Sequence, residues 1–427
     1  MFAKLFGKLV PLRPGEAAPV LLATAYGFCI LFAFYLLRPV RDEIGAADRG
    51  NLQLLWTAVF LVMLLAVPLY SVAVARLRRG AFIVLANRFF AANLIAFYAA
   101  LVLLPDSART WIDRAFYVWL SVFALFVVTV FWGLVVDLFR DEQGRRLFGF
   151  ITVGSSLGGI AGSSATALLA AHVPVFLLLL LAVLPLEAAC WLARALDRRA
   201  VAAPGDATAT LNREPDATIG GNAWSGIVAV FRSPALRGIA LWILLMTFAS
   251  TMLYFIQSHL VGEAITDRAL RRAFLARIDL AVNVVTILTQ AFLTARILQR
   301  IGVGLTLAVL PAVAALGFVA LGMAPTALAL SALLVIRVLY DSSRHALAKP
   351  AREVLFTRVE REQRYKSKAF IDAAVYRGGD LLSGWIYVGL AALGMTVGAI
   401  ALAAAPVAVA WAVLGRRLGR EEAEGSG

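Results

Sequence analysis

The sequence predicts an all-α integral membrane protein with twelve transmembrane helices in two six-helix halves. Of its 427 residues, 61% are hydrophobic and 15% are charged, and the mean hydropathy is +0.84. Soluble globular domains are nearer to half apolar, so this composition excludes soluble single-domain enzymes and disordered tails. The apolar residues form long continuous runs, whereas a membrane β-barrel needs alternating apolar and polar residues. Helices are therefore the predicted membrane-spanning elements.

Each predicted span is a run of about 20 mostly apolar residues, the length that an α-helix needs to cross a bilayer. The spans of the first half are 18–37, 54–74, 81–104, 116–139, 148–171 and 173–192. Those of the second half are 236–260, 275–298, 303–323, 327–347, 370–393 and 395–414. Between them, residues 197–222 are polar and lack apolar periodicity. We predict an N-terminal half at 1–196, a cytoplasmic linker at 197–235 and a C-terminal half at 236–427.

The basic residues indicate how the chain is oriented. The net charge is +14, and most of the 40 lysines and arginines fall in the loops that share one side with both termini. The positive-inside rule assigns that side, with both termini, to the cytoplasm, so the basic excess reflects topology and predicts no nucleic-acid partner. We expect a monomer in a bacterial-type inner membrane. Lys4, Lys8 and Arg13 precede a run too long for a signal peptide, so we expect an interfacial basic helix there. Cys29 and Cys190 lie in apolar runs and provide no disulfide framework.

An internal repeat with an offset of 220 residues relates the two halves. Three sites match at this spacing, each in the same loop or helix of its half. They are Ala75-Arg76 with Ala295-Arg296, Glu142-Gln143 with Glu362-Gln363, and Gly158-Gly159 with Gly378-Gly379. Two parallel six-helix halves joined by a cytoplasmic linker resemble the major facilitator architecture, which implies a substrate site near the membrane midplane.

Two further sequence features, a hydrolase-like motif and the histidines, do not predict an enzyme or a metal site. Residues 154–158 match the G-x-S-x-G pattern of a hydrolase, but that motif needs a strand and a sharp turn, and here it falls inside a predicted membrane helix. Gly154, Gly158 and Gly162 instead form a row of small residues that predicts close helix packing. The three histidines are scattered along the sequence and form no metal-binding motif with cysteines or carboxylates, so we predict no metal site and no cofactor.

Charged residues inside membrane spans are costly, so each one is a candidate for function. Arg337 and Asp341 are four residues apart, and Arg377 and Asp380 are three apart, so each pair is expected to meet on one helix face. Each pair either neutralises its own two charges or takes part in substrate binding or gating. Glu187 stands in an otherwise apolar span and is either a protonatable coupling site or a side chain that reaches back to the cytoplasmic surface.

Cations cluster where several spans begin or end. Arg38 and Arg41 close the first span and Lys368 opens the eleventh, and a pathway edged by such residues favours an anion. Lys368 has Phe148 as its counterpart in the repeat, so the duplicated topology does not require its charge. Asp372 lies one helical turn after Lys368 and is expected to orient it. The cations at the ends of the spans also include Arg344, Lys349 and Arg352. The alternative is that all these cations are anchors on the cytoplasmic side.

Three stretches resemble the ATP/ADP translocase family of plastids and intracellular bacteria, which is related to the major facilitator fold. They are LLRPVRD at 36–42, FWG at 131–133 with the basic segment at 145–146, and KAFID at 368–372. The resemblance implies that Arg41 and Lys368 stand where the family keeps basic residues needed for nucleotide transport. The family also uses membrane glutamates in helices four and seven, which this chain lacks.

These observations predict a secondary transporter that works by alternating access and exchanges nucleotides or a related organic anion. The predicted substrate-binding residues are Arg38, Arg41, Arg88, Lys368, Asp372 and Arg377. The predicted coupling or gating residues are Glu187, Arg337, Asp341 and Asp380. Two alternatives stay open: a proton-coupled major facilitator carrier of another small solute, and a membrane receptor or scaffold derived from a transporter.

Overall fold

A computed structural model describes residues 16–76, 79–139, 141–202, 230–356, 367 and 371–424. Within these ranges the side chains of a few helical residues, among them Asp372, are outside the description. The basic segment predicted at the N-terminus and Lys368 also lie outside the described residues.

The described chain is built from helices that follow one another with short connections. The first six are α1 (Ala17–Ala47), α2 (Leu52–Arg76), α3 (Arg79–Leu103), α4 (Arg109–Leu138), α5 (Asp141–Leu169) and α6 (Val175–Ala202). The next three are α7 (Pro234–Ala264), α8 (Arg268–Phe292) and α9 (Thr294–Met323). Helix α10 comprises Ala329–Ser343, a π-helical turn at Arg344–Ala348 and a last segment at Lys349–Phe356. Helix α11 comprises a π-helical turn at Ile371–Val375 and Tyr376–Ala392, and α12 is Val397–Glu424.

The predicted all-α membrane architecture is confirmed. Eleven of the described helices are long and apolar enough to cross a membrane, and α11 supplies the remaining predicted span. The helices extend beyond the predicted spans: α6 continues to Ala202 and α7 starts at Pro234, so the two ends of the predicted linker are helical. Hydropathy marks only the apolar part of a helix, and polar residues continue the same helix outside the bilayer core.

The helices form two compact units. Unit 1 holds the described residues up to Gly45, those from Leu61 to Ala202, and Asp267–Leu280. Unit 2 holds Ala46–Phe60, the described residues from Val230 to Thr266, and those from Ala281 to Glu424. The start of α8 therefore packs with the helices of unit 1, although it lies after the linker in the sequence.

Within unit 1, α5 packs against α1 through the predicted glycine row. A Cβ atom added to any of the three glycines meets a backbone carbonyl of α1, so only glycine lets the two backbones approach this closely. The facing pairs are Gly154 with Thr24, Gly158 with Phe28 and Gly162 with Phe32. A hydrogen bond also joins α5 to α1: the Thr166 hydroxyl donates to the Leu36 carbonyl at 2.7 Å. The packing interpretation of this motif is confirmed.

One pair of equivalent helices, α4 and α10, starts at the offset of the repeat. Helix α4 begins at Arg109 and α10 at Ala329, which is the predicted offset of 220 residues. Gly379 of α11 lies against the side chain of Thr247 of α7, whereas a Cβ atom at Gly378, the counterpart of Gly158, would meet nothing within 4 Å. The centre of unit 2 also contains Trp242 and Trp411, whose rings are 5.3 Å apart.

Candidate functional site

A polar cluster in unit 2 brings together side chains from α7, α10 and α11. We call it the Arg344–Asp380 cluster, and its members are Ser250, Thr251, Arg344, Tyr376, Arg377 and Asp380. Thr251 is fully buried and Asp380 is 9% exposed. Polar groups buried in a membrane-spanning bundle are costly and point to function.

The two helices that carry the charged members of the cluster both depart from α-helical geometry at that point. The π-helical turn of α10 begins at Arg344 itself, and that of α11 ends at Val375, directly before Tyr376. A π-helical turn frees backbone carbonyls from their usual partners and is frequent at functional sites. One carbonyl of the α10 turn, that of Ala346, accepts a hydrogen bond of 2.9 Å from the Thr294 hydroxyl.

Arg344 is held by hydroxyl groups. Its guanidinium donates a hydrogen bond of 3.1 Å to Ser250 Oγ and another to the phenol oxygen of Tyr376. The guanidinium of Arg344 also lies 5.9 Å from the centroid of the Tyr376 ring, and that of Arg377 lies 5.8 Å from the same centroid. Two cations thus share one aromatic ring, an arrangement that a bound anion would stabilise.

Asp380 is the acidic member of the cluster. Its Oδ1 accepts a hydrogen bond of 3.3 Å from the Thr251 hydroxyl, and its Oδ2 lies 3.8 Å from Arg377 Nη1. The predicted contact between Arg377 and Asp380 on one helix face is therefore present. Both interactions are long, so little binding energy holds the carboxylate in its ionised form.

A second predicted pair lies one helical turn before Arg344. Arg337 Nη2 is 2.8 Å from Asp341 Oδ2, and both residues are 4% exposed. Together with Arg344, Arg377 and Asp380 they give three positive and two negative charges, so these five described side chains carry one surplus positive charge. The pair itself is neutral, and its part in binding or gating stays a prediction.

The predicted cations of α1 are ion-paired within unit 1. Arg38 lies 3.1 Å from Asp279 of α8 and 3.7 Å from Asp42, while Arg41 lies 2.8 Å from Asp42. The guanidinium of Arg41 is also 5.8 Å from the Tyr117 ring. A substrate anion at these arginines would have to replace a carboxylate.

Beside them, Glu43 is the centre of a buried ionic network that the sequence did not reveal. This glutamate, 1% exposed, accepts contacts from Arg268 at 2.8 Å, Arg271 at 3.1 Å and Arg272 at 3.8 Å. Arg268 also lies 2.7 Å from Asp113 of α4. The network thereby joins α1 and α4 to the start of α8.

Arg88 and Glu187, which the sequence placed in separate roles, are partners. Arg88 Nη2 of α3 is 2.5 Å from Glu187 Oε1 of α6. The side chains are 47% and 37% exposed, so the pair lies on the surface of unit 1. The sequence could not reveal this contact because the two residues are 99 positions apart in the chain.

Sequence reasoning also missed several members of the cluster. No sequence pattern marks Ser250, Thr251 and Tyr376, and Arg344 stands among the cations that edge the predicted anion pathway but not among the predicted substrate-binding residues. The repeat held a usable signal: the counterparts of Arg344, Tyr376 and Asp380 at the 220-residue offset are uncharged. They are Ala124, Ser156 and Ile160. Among the residues that the structure describes, no three His, Cys, Asp or Glu side chains are grouped as metal ligands.

Solved structures are similar to this chain over most of its length. No protein-family model and no curated protein sequence matches it. A POT-family peptide transporter in complex with alafosfalin is 13% identical, with a TM-score of 0.63 and 98% of both chains covered. The nucleoside transporter NupG is 14% identical, with a TM-score of 0.58 and coverage of 95% of this chain and 99% of that one. A bacterial homolog of the human lysosomal transporter Spinster is 13% identical, with a TM-score of 0.55 and 96% of both chains covered.

These likenesses show that the chain has the major facilitator fold, as the helix count and the repeat predicted. That fold is typically not enzymatic, in agreement with the prediction that this protein is not an enzyme. The resemblance to ATP/ADP translocases finds no further support in these comparisons and rests on its three sequence stretches.

Proposed function

We propose that this protein is a secondary transporter that works by alternating access and couples the movement of a small organic anion to protons. The observation that carries the proposal is the Arg344–Asp380 cluster, which combines a surplus cation with a weakly held carboxylate in a membrane-spanning bundle. The fold supports it, since proteins with this fold include a nucleoside transporter and a peptide transporter.

Arg344 is the proposed anchor for the substrate anion. Its present partners are the neutral hydroxyls of Ser250 and Tyr376, and the cluster provides no carboxylate that is bonded directly to it. A guanidinium binds carboxylate or phosphate oxygens in a bidentate manner, and neighbouring hydroxyls supply further donors. The five described side chains carry one surplus positive charge while Asp380 is ionised and two when it is protonated, and both states favour an anionic solute.

Asp380 is the proposed coupling group. In the ionised form it balances Arg377 at 3.8 Å, and when protonated it can still bond to the Thr251 hydroxyl at 3.3 Å. Protonation of Asp380 releases the positive charge of Arg377 for a bound anion. Proton and anion would therefore bind together and cross the membrane together, which is symport.

Exchange of nucleotides is the second candidate for the same fold. It is favoured by the motifs around Arg41 and Lys368, but Arg41 is ion-paired with Asp42 at 2.8 Å and Lys368 lies outside the described residues. The predicted fourth and seventh spans also lack the membrane glutamates that the translocases use. The cluster therefore favours the proton-coupled carrier.

The proposal is tested with the full-length protein reconstituted in liposomes that contain a pH-sensitive dye. Dipeptides, nucleoside monophosphates and dicarboxylates are added outside under an imposed inward proton gradient. We expect saturable uptake of one anionic class, accompanied by proton entry.

A parallel set of liposomes is preloaded with ADP, and uptake of labelled ATP is measured. Uptake that depends on internal ADP and does not respond to the proton gradient would establish nucleotide exchange instead. A lack of uptake and counterflow for every solute would favour the receptor or scaffold alternative.

A further inference from the structure

A groove on the surface of unit 1 is separate from the cluster described above. It has a volume of about 540 Å³ and lies between the start of α3 and the end of α6. Its lining combines apolar and basic residues: Gly80, Ala81, Val84, Leu85, Arg88, Arg194, Asp197 and Arg198. Gly80 leaves the space that Asp197 occupies, since a Cβ atom at this position would meet the Asp197 carboxylate.

The charges of the groove leave one positive charge unbalanced. Three arginines and Asp197 line it, and Glu187 neutralises Arg88 at 2.5 Å. In the part of the chain that the structure describes, neither Arg194 nor Arg198 forms an ion pair with Glu187 or another carboxylate. Arg194 instead lies 6.0 Å from the Trp191 ring. The net charge of the groove with its Glu187 partner is therefore +1.

The neighbouring apolar residues suit a membrane position. Leu85 is 58% exposed, Phe89 58% and Trp191 63%, all on the helices that form the groove. Tryptophan is enriched at the level of lipid headgroups, and arginine side chains reach from there towards phosphates. The end of α6 and the start of α7 flank the predicted cytoplasmic linker, so the predicted orientation puts the groove in the cytoplasmic leaflet.

We propose that this groove binds one anionic glycerophospholipid. Arg194 and Arg198 hold the headgroup phosphate, and an acyl chain lies along Leu85 and Phe89. The phosphodiester brings one negative charge to a site with one surplus positive charge, and basic pockets between membrane helices on the cytoplasmic side are known to hold such headgroups. Arg88 also lines the groove, but Glu187 already neutralises its charge, so this pair is not itself a ligand.

Native mass spectrometry of the full-length protein in detergent tests the proposal. Dioleoylphosphatidylglycerol and dioleoylphosphatidylcholine are titrated separately into the delipidated protein. We expect one copy of phosphatidylglycerol to bind more tightly than phosphatidylcholine. The double variant Arg194→Gln with Arg198→Gln should bind it about 25-fold more weakly, since each arginine near an anionic headgroup contributes about fivefold.

Arg199→Gln is the matched control because Arg199 is exposed on the same helix and does not line the groove. This variant should keep the affinity for phosphatidylglycerol. Equal affinity of the double variant and the wild type would overturn the proposal, and so would equal binding of the two lipids or an equal loss in Arg199→Gln. If the double variant does not purify as a monodisperse protein, the single variant Arg198→Gln replaces it, since Arg198 is exposed. Its affinity for phosphatidylglycerol is then compared with that of the wild type.

Discussion

Arg344 of α10 and Tyr376 of α11 are joined twice, by a hydrogen bond to the phenol oxygen and by a guanidinium that lies 5.9 Å from the ring centroid. Both residues adjoin π-helical turns, so the contact joins two helices where their backbone hydrogen bonding is already altered. Such turns are rare in helices and are frequent at functional sites. The contact is therefore a suitable position for a binding group that changes partners during transport.

Arg344→Lys is expected to weaken substrate binding more than folding. A lysine keeps the positive charge but loses the planar, bidentate donor geometry, and a hydrogen bond to a charged group contributes about 1.5–3 kcal/mol. The KM for the transported anion should rise by about 10- to 100-fold in proteoliposomes, with a similar thermal stability.

Tyr376→Phe is the companion variant for this prediction. It removes the hydrogen bond from Arg344 but keeps the aromatic ring that both arginines contact. We expect a smaller rise in KM than for Arg344→Lys. An unchanged KM in Arg344→Lys would remove Arg344 from the binding site.

In Asp380→Asn, we expect exchange of the solute to persist and its proton-driven accumulation to be lost. The amide still accepts the hydrogen bond from Thr251 but no longer takes up and releases a proton. Wild-type uptake should increase as the external pH falls below the internal pH, because the protonated carboxylate forms on the outside and dissociates on the inside. In the variant, accumulation should no longer depend on the gradient, while counterflow of labelled against unlabelled solute persists.

Glu263→Gln serves as the control for that experiment, since Glu263 is exposed near the end of α7. It should show the same dependence on the pH gradient as the wild type. Accumulation by Asp380→Asn at the wild-type level would assign coupling to another group, such as Glu187 or the hydrogen-bonded pair His259 and Tyr387, whose Nδ1 and hydroxyl are 3.2 Å apart.

Glu43→Gln is expected to destabilise the protein. Glu43 is 1% exposed and faces Arg268, Arg271 and Arg272; Arg271 and Arg272 are also buried, so the substitution leaves two buried charges without their shared counterion. Removing one partner of a buried ion pair costs roughly 3–5 kcal/mol. The midpoint of thermal unfolding in detergent should fall clearly, whereas Asp106→Asn, at an exposed position, should leave it unchanged. Equal midpoints in the two variants would contradict a central role for Glu43 in this network.

Gly158→Ala and Gly149→Ala, on the same helix, are expected to have opposite effects. A Cβ atom at Gly158 meets the backbone of Phe28, which has no room to yield, whereas a Cβ atom at Gly149 meets nothing within 4 Å. Overpacking typically costs about 1–3 kcal/mol, while alanine in a helix gains up to about 1 kcal/mol over glycine. Thermal unfolding should show loss of stability for Gly158→Ala and a small gain for Gly149→Ala. A gain in both would show that α1 and α5 are not in close contact.

The amino-acid sequence by itself determined the helices, the repeat and the contacts within one helix. Continuous apolar runs marked the spans, the spacing of Gly154, Gly158 and Gly162 predicted a close helix crossing, and the spacing of Arg337 and Asp341 predicted their ion pair. These features follow from the 3.6-residue period of the α-helix and from the thickness of a bilayer, which act on neighbouring residues.

Only the tertiary structure decided which distant charges are partners. Glu187 meets Arg88, Glu43 meets Arg268, and Arg344 meets Ser250, in each case across helices that are far apart in the sequence. The choice of partner depends on how whole helices pack and rotate, which no local spacing reveals. The candidate binding cluster and the lipid groove both follow from such long-range contacts, and for this reason the sequence predicted the fold more completely than the site.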